Sequence, residues 1–191
     1  DIEVHRIAEQ LPGTKHDLLF QQWTVNCLEE KLPRNEEIGG ISVNLPPVDF
    51  DSIYIMNHIW RHFMTGGIGL RQLWDWTMFR QRFHTEIESN NLNSNLKNFG
   101  LTRAWHILSA LVVQHLGLPK EECPLYNGQY ENKSDRVLDI VWHDGNFGHH
   151  SYPTQISDST NIYKSKFNTY KKITSRIIRI FSISPIDVLY S

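Results

Sequence analysis

The chain has 191 residues, of which 40% are hydrophobic and 12% aromatic, and its formal net charge is −2. This composition provides the core of one ordinary domain or slightly more, and it excludes an intrinsically disordered chain. The lack of a basic excess argues against broad nucleic-acid binding. No apolar run approaches the roughly twenty residues that span a bilayer. The two cysteines have no paired spacing, so no disulfide framework is predicted and a reducing cytoplasm fits best.

The first fifty residues are predicted to form two short strands and one helix. Asp1–Ile7 alternates apolar and polar residues, which predicts a strand already under way at residue 1, as expected of a processed chain or an excised fragment. A helix is predicted over Thr14–Lys31 and a loop over the charged segment Pro33–Gly40. The alternation of Ile41–Leu45 predicts the second strand. The apolar face of the helix is predicted to contain Leu18, Leu19, Trp23, Cys27 and Leu28.

The densest part of the chain is His58–Trp76, which contains two histidines, two arginines, three tryptophans and three glycines. Apolar residues at three- and four-residue steps over Ile53–Met64 predict a helix, for which Asp49 or Asp51 is a candidate cap. A pair of glycines at 66–67 ends this helix, because glycine adopts the left-handed conformation at low steric cost. A second helix then runs to about residue 88. Its predicted buried side contains Leu70, Leu73, Trp74 and Thr77.

The polar side chains of this block are candidate binding residues. His58 and His62 lie four residues apart on one helix face. Such a pair can bind zinc when a third ligand is near, but no Cys or Glu of suitable spacing completes the set. The alternative is a pair of histidines at the core edge that bond to the backbone. Arg71 and Asp75 are also four residues apart, which predicts either an exposed helix ion pair or a partly buried pair that depends on mutual contact.

The rest of the chain is predicted to be helical. A short asparagine-rich helix is predicted over Asn90–Asn98, and a helix capped by Thr102 is predicted over Thr102–Gly117. A loop is predicted over Cys123–Asn132, and a helix capped by Ser134 or Asp135 is predicted over Ser134–Gly145. A final amphipathic helix over Ile162–Phe181 carries basic residues on its polar sides. It can lie on a membrane or bind a partner, or it can pack on the bundle as a surface helix. The predicted fold is therefore mainly α, a bundle of about six helices with a small β remnant of two short strands at the N-terminus.

A family resemblance is carried by the central block. The sequences HIWRHF at 58–63 and GIGLRQLWDW at 67–76 resemble the large bacterial family of uncharacterised nucleotidyltransferases, predicted members of the polymerase-beta-like superfamily. The resemblance extends from Ile2-Glu3-Val4-His5 to the turn at 145–148 and matches the helical half that follows the family's catalytic domain. It implies that residues 1–48 are the end of an incomplete nucleotidyltransferase-like α/β domain and that residues 49–191 form a helical domain.

The resemblance also implies a chemistry. Nucleotidyl transfer uses two metal ions held by carboxylates. The superfamily typically supplies a Gly-Ser turn with an Asp-x-Asp pair and then a third carboxylate on a later strand. The resemblance places Glu3 at the third, catalytic position, whereas the alternative for Glu3 is a solvent-facing strand residue. A Gly-Ser turn followed by an Asp-x-Asp pair is absent from the chain, so the chain alone is not expected to catalyse transfer.

The predicted function follows from the family resemblance together with the absence of the Gly-Ser turn and Asp-x-Asp pair from this chain. Five positions are implied to bind substrate: His58, Arg61, His62, Arg71 and Asp75. The alternative for these residues is a structural network that stabilises the glycine turn. The chain is predicted to be the C-terminal portion of a nucleotidyltransferase that assists binding of the nucleotide or of an unidentified acceptor. Mg²⁺ and a nucleoside triphosphate are expected in the intact protein, with no metal or nucleotide bound tightly by this chain. The competing prediction is a non-catalytic helical module that binds a protein partner.

Overall fold

The structure, a computed structural model, describes residues 9–29, 34–144 and 174–185. The predicted strand at 1–7, the turn at 145–148 and the part of the predicted C-terminal helix at 162–173 lie outside these residues. The helices are α1 (Thr14–Glu29), α2 (Val48–Thr65), α3 (Leu70–Phe83), α4 (Ser89–Asn98), α5 (Thr102–His115) and α6 (Glu131–Asp144). Residues 120–122 form a short 3-10 turn, and residues 174–183, called the C-terminal helix below, are also helical. The mainly α architecture predicted from the sequence is confirmed.

A β-hairpin precedes α2. Strands β1 (Arg34–Ile38) and β2 (Ile41–Leu45) pair antiparallel, with Ile38 opposite Ile41. The prediction of Ile41–Leu45 as a strand is confirmed, but the prediction of Pro33–Gly40 as a loop is wrong. Gly39 and Gly40 have φ of 61° and 81°. Two consecutive positive φ angles are the requirement of the two-residue turn that best matches strand twist, so the glycine pair closes the hairpin.

The central helix of the bundle is α5. It packs against α2, α3, α4 and α6, while α1 packs against α4. The side chains of Trp105, Ile107, Leu108 and Leu111 on α5 are fully buried. Burial of large apolar side chains is worth about 1.5–3 kcal/mol each, so this helix supplies much of the contact that holds the other helices together.

Two of the predicted helix faces need correction. On α1, Cys27 is buried as predicted, but Leu18, Leu19 and Leu28 are exposed and Phe20 is buried in their place. On α3, Leu73 and Thr77 are buried as predicted, but Leu70 and Trp74 are exposed, and the buried face is completed by Trp76, Arg80 and Phe83. An arginine within this face interrupts the apolar pattern, which is why the pattern alone identified only part of the buried face.

The buried arginine of α3 is at the centre of an aromatic cluster. The guanidinium of Arg80 lies 4.8 Å from the ring centre of Trp76 and 4.2 Å from that of Trp105, and its Nη2 donates to Sγ of Cys123 at 3.1 Å. Trp105 Nε1 donates to the carbonyl oxygen of Pro124 at 3.0 Å. Burial lowers the pKa of Arg80 to about 10, against the opposing effect of Cys123. The cluster thus joins α3, α5 and the segment that follows α5.

The glycine pair ends α2 as predicted. The backbone N–H groups of Gly66 and Gly67 both donate to the carbonyl oxygen of His62, at 2.9 and 2.7 Å, and Gly67 has a φ of 97°. The predicted caps at the other end are wrong, because Asp49 and Asp51 lie inside the first turn and Pro47 occupies the cap position.

Two further helix starts differ from the predictions. Leu101, rather than Thr102, occupies the cap position of α5. Helix α6 begins at Glu131, so the predicted caps Ser134 and Asp135 lie within it, and the predicted loop ends earlier than Asn132. The Ser134 hydroxyl instead donates to the carbonyl oxygen of Glu131 at 2.7 Å.

The C-terminal helix packs on the bundle. Its Ile180 and Ile183 are buried. Its Arg176 donates from Nη2 to the carbonyl oxygen of Phe63 at 2.6 Å and from Nη1 to those of the next two residues. A cation at the C-terminal end of α2 satisfies carbonyls that have no partner within the helix and interacts favourably with the helix dipole. Across the described parts of the chain, no helix has the length and apolarity that a membrane crossing requires.

Candidate functional site

The candidate site is built around Glu9, whose side chain is only 1% exposed. The turn that follows it brings Leu11 back onto α1, where its N–H donates to Asp17 Oδ1 at 2.9 Å. Gln21 on α1 donates from Nε2 to the Glu9 carbonyl oxygen at 2.6 Å. These bonds attach the backbone of Glu9 to α1 and direct the segment across the face of α2.

Two side chains of α2 contact the Glu9 carboxylate. His58 Nδ1 lies 2.6 Å from Oε1, and Arg61 Nη2 donates to the same oxygen at 3.2 Å. Arg61 Nε lies 2.8 Å from Oε2, a close ionic contact that lacks the alignment of a hydrogen bond. Residues three apart share a helix face, so one carboxylate engages both. Because a carboxylate only accepts, His58 Nδ1 carries the proton, and in the neutral ring Nε2 is then the acceptor.

His62 completes the cluster. Its ring packs edge-on against that of His58, with ring centres 4.4 Å apart. Burial lowers the pKa of His62 below its ordinary 6.5, and the neighbouring His58 and Arg61 lower it further, while Glu9 opposes them. His62 is therefore neutral near pH 7 and becomes charged only in more acidic solution. We refer to Glu9, His58, Arg61 and His62 as the Glu9 cluster.

The Glu9 cluster combines a buried carboxylate with partly exposed histidine and arginine side chains. The Glu9 carboxylate is buried, whereas the side chains of His58 and Arg61 are 45% and 51% exposed. A guanidinium held by a carboxylate on one edge presents its other N–H groups in a fixed orientation, which suits phosphate oxygens. An imidazole whose Nδ1 is bound to a carboxylate can accept a proton at Nε2. The arrangement can thus bind an anion and take up a proton beside it.

Three of the five predicted binding residues lie in this cluster. Arg71 and Asp75 do not join it. Their Nε and Oδ2 atoms are 3.9 Å apart, and their side chains are 93% and 67% exposed. This is the exposed helix ion pair that the sequence left as one alternative, and pairs of this kind contribute about 0.3–0.5 kcal/mol. Glu3 lies outside the described residues.

Sequence reasoning missed Glu9. Its partner His58 is 49 residues further along the chain, so no helical or strand spacing connects them. The sequence showed the histidine pair and the arginine but not the carboxylate that orients them. The only local signal is an acidic residue two positions before the Leu11-Pro12-Gly13 turn, which is too common to select it.

The described residues do not fit a magnesium site. Mg²⁺ prefers carboxylate oxygens and water in octahedral geometry, but the Glu9 carboxylate is enclosed by Arg61 and His58. Asp49 and Asp51 have Asp-x-Asp spacing, yet they lie in the first turn of α2, where residues two apart do not face each other. Asp51 also accepts from Arg34 Nη2 at 3.1 Å. Among the residues that the structure describes, no three His, Cys, Asp or Glu side chains are grouped to hold a metal ion.

Comparison with known proteins identifies a family. A family model described as uncharacterised nucleotidyltransferase matches residues 3–117. This region includes the Glu9 cluster and the elements from α1 to α5. No curated protein and no solved structure matches the chain. Because the family model covers more than half of the sequence, the chain belongs to the family of uncharacterised nucleotidyltransferases.

Proposed function

We propose that this chain binds the phosphates of a nucleoside triphosphate through the Glu9 cluster, as the substrate-binding part of a nucleotidyltransferase. The observation that supports this most is the state of Arg61. Its guanidinium is held by a buried carboxylate at 2.8 Å and is still half exposed. The family match supports the reaction class.

The charges of the cluster are compatible with an anionic ligand. Glu9 and Arg61 cancel in charge, so a phosphate meets no net repulsion, and the outward N–H groups of Arg61 provide directed donors. The fixed orientation lowers the side-chain entropy lost on binding, which is about 0.5–1.5 kcal/mol for a mobile side chain. His58 and His62 lie beside Arg61 on α2 and can donate to the ligand when protonated.

The proposal assigns no metal-binding step to this chain, because the described residues do not fit a magnesium site. Transfer of a nucleotidyl group places negative charge on the phosphates, which metal ions stabilise when they are bound. The role left to the described residues is to bind and orient the substrate. Arg71 and Asp75, which the family resemblance implies as substrate contacts, lie outside the Glu9 cluster and are assigned no part in phosphate binding.

The test is calorimetric titration of the chain with ATP and with GTP, each with and without MgCl₂. We expect binding that weakens at least about tenfold, or about 1.4 kcal/mol, in Arg61→Ala. Arg71→Ala is the matched control, because it removes the same side chain from an exposed position of the next helix. Circular dichroism of both variants verifies the fold.

Three results decide between the assignments. Loss in Arg61→Ala alone supports the Glu9 cluster. Loss in Arg71→Ala alone moves the site to α3 and contradicts the proposal. Absence of ATP and GTP binding in the unmodified chain also contradicts it.

A second candidate function is supported by a separate surface. Leu70, Trp74 and Met78 follow each other at four-residue steps along α3, and all three are exposed. An apolar stripe of this kind is typical of protein interaction sites, which supports the alternative of a helical interaction module. Analytical ultracentrifugation of the chain at increasing concentration tests whether this surface binds a second copy of the chain. Self-association that is lost in Trp74→Ser would support an interaction module. A chain that stays monomeric at all concentrations would contradict binding of a second copy through this surface.

A further inference from the structure

Three basic side chains lie together where the C-terminal helix ends. Arg103 Nη2 and Lys133 Nζ both donate to the carbonyl oxygen of Ile183, at 3.0 and 2.6 Å. Arg136 follows Lys133 by three residues on α6, so the two share a helix face. Burial lowers the pKa of Lys133, and the charges of Arg103 and Arg136 lower it further. We refer to Arg103, Lys133 and Arg136 as the Arg103 cluster.

The positive charge of the Arg103 cluster is not neutralised by a carboxylate. Among the described residues, none of its three members forms an ion pair. The acidic residues next to it on α6 have other partners, since Glu131 accepts from the Tyr126 hydroxyl and Asp135 lies 3.1 Å from His115 Nε2. Four other arginines do contact a carboxylate, at 2.8–3.9 Å: Arg34, Arg61, Arg71 and Arg82.

Helix capping accounts for only part of this arrangement. Cations stabilise the C-terminal end of a helix, so the bonds of Arg103 and Lys133 to the Ile183 carbonyl oxygen help to hold the C-terminal helix. The end of a helix carries only about half a negative charge, however, against three positive charges here. Arg136 makes no hydrogen bond to any described part of the chain, so capping does not explain its position.

Two helix N-termini add to the positive potential. Arg103 is the second residue of α5 and Lys133 is the third residue of α6. The first turn of a helix is the positive end of its dipole, where an anion is stabilised and a cation is not. The two side chains meet beside Tyr130, with Arg103 Cζ and Lys133 Nζ 5.9 and 6.0 Å from its ring centre. Both helix ends thus face one place.

The Arg103 cluster also has donors to spare. An ammonium group has three N–H donors and a guanidinium has five, and the Ile183 oxygen takes one from Lys133 and one from Arg103. Arg136 is exposed, and Arg103 and Lys133 are partly exposed. The bonds to Ile183 hold two of the charged groups in place before any ligand binds, which reduces the entropy lost on binding.

We propose that the Arg103 cluster binds a phosphate group, carried by inorganic phosphate or by a small phosphomonoester. A phosphomonoester carries a charge of about −1.5 to −2 at pH 7 and three strong acceptor oxygens. It therefore matches three cations better than a carboxylate does, which has one charge and two oxygens. Arginine supplies a planar fork for the phosphate oxygens, and lysine supplies a point charge. This site is separate from the Glu9 cluster and does not rest on the proposed function.

The test is ¹H–¹⁵N NMR of the full chain during titration with inorganic phosphate and with glycerol 3-phosphate, at an ionic strength held constant with sodium chloride. We expect saturable shifts of the backbone amide signals of Arg103 and Lys133. In Lys133→Gln, binding should weaken at least about tenfold, or about 1.4 kcal/mol. Lys97→Gln is the matched control, because it removes an exposed lysine from α4.

Arg136→Gln is the second variant, because Lys133→Gln also removes a bond to the C-terminal helix. Arg136 is exposed and makes no such bond, so this variant should keep the thermal unfolding temperature of the unmodified chain. Its phosphate binding should still weaken at least about threefold. A loss of binding without a loss of stability separates the phosphate site from a purely structural role.

The outcomes are distinct for this site and for the Glu9 cluster. Absence of saturable shifts with both compounds overturns the inference, as does an equal effect of Arg136→Gln and Lys97→Gln. Tighter binding of glycerol 3-phosphate supports a phosphomonoester ligand, and equal or tighter binding of inorganic phosphate supports free phosphate. Failure of ATP to bind at the Glu9 cluster would leave this inference unchanged, because the signals of Arg103 and Lys133 report on it independently.

Discussion

Glu9 determines the geometry of the candidate site, because its buried carboxylate contacts both His58 and Arg61, at 2.6 and 2.8 Å. A carboxylate this deeply buried is costly unless its charge is paired. Arg61 supplies the opposite charge and remains exposed enough to meet solvent. Glu9 thereby both fixes the segment before α1 and orients the groups that are proposed to bind phosphate.

Glu9→Gln tests this connection. The amide keeps the shape of the side chain but loses the charge that pairs with Arg61, so we expect the free energy of unfolding to fall by about 1–3 kcal/mol. The exposed Asp75→Asn is the control, because its ion pair with Arg71 is open to solvent, and it should change stability by less than about 0.5 kcal/mol. Urea denaturation measures both. Equal effects of the two substitutions would mean that Glu9 does not hold the cluster together.

His62 should make stability depend on pH. Its pKa in the folded chain is held below 6.5 by burial and by the charges of His58 and Arg61. The unfolded chain therefore binds a proton first, and stability is lost as the pH falls from about 6.5 through the lower folded pKa. His62→Gln removes this titration, so the variant should lose less stability than the unmodified chain between about pH 7.5 and about pH 5. Urea titrations at both pH values give this difference, and a larger loss in the variant would refute the assignment.

Among the elements, the β-hairpin depends on two glycines at its turn. Gly39 and Gly40 both have positive φ, and a Cβ atom at either position would meet no neighbour within 4 Å. Any cost of substitution there is consequently conformational rather than steric crowding. Gly66, at the end of α2, is also uncrowded but has a φ of −125°, which other residues adopt readily. Gly40 and Gly66 are therefore both uncrowded and differ in their backbone conformation, so they can be compared directly.

Gly40→Ala and Gly66→Ala should differ in stability for this reason. The left-handed conformation costs an alanine about 1–2 kcal/mol, so Gly40→Ala should lower the free energy of unfolding by about that amount. Gly66→Ala should change it by less than about 0.5 kcal/mol. Thermal unfolding of both variants provides the comparison. The account of the turn fails if Gly66→Ala is the more damaging of the two.

These elements also show what the sequence could predict. The spacing of apolar residues alone predicted α2, α4 and α5, since these residues recur every three or four positions. It did not reveal β1, because Arg34–Ile38 contains only one apolar residue. The glycine pair between Ile38 and Ile41 was the available hairpin signal. The buried side of α3 was only partly predicted because Arg80 interrupts it, and Glu9 was missed because its contacts are tertiary.

At the scale of the whole molecule, α3, α5 and the segment after α5 meet at a buried cation. Arg80 is fully buried and its guanidinium contacts two indole rings and the Cys123 sulfur. Its Nε and Nη1 atoms have no hydrogen-bond partner among the residues that the structure describes. The flat guanidinium is suited to this place because it stacks on aromatic faces and is more weakly hydrated than an ammonium group.

Arg80→Lys and Arg80→Met should therefore rank in an unusual order. Lysine keeps a buried charge without the planar stacking, so we expect a loss of about 3–5 kcal/mol, the range for a buried charge left without its partner. Methionine fills similar space without charge and should be the milder change, since apolar replacement of buried charges is often tolerated. Guanidinium chloride denaturation ranks the variants. If lysine proves the milder substitution, charge rather than stacking is what the core requires.

The central claim is that the Glu9 cluster binds the phosphates of a nucleoside triphosphate. Its most direct test is long-range ¹H–¹⁵N NMR of the histidine rings while ATP is added. We predict saturable shifts at His58 and His62, with His115 unchanged, because His115 lies at the end of α5 and contacts Ser134 and Asp135 of α6. Unmoved rings of His58 and His62 at saturating ATP, or shifts of the same size at His115, would contradict the claim.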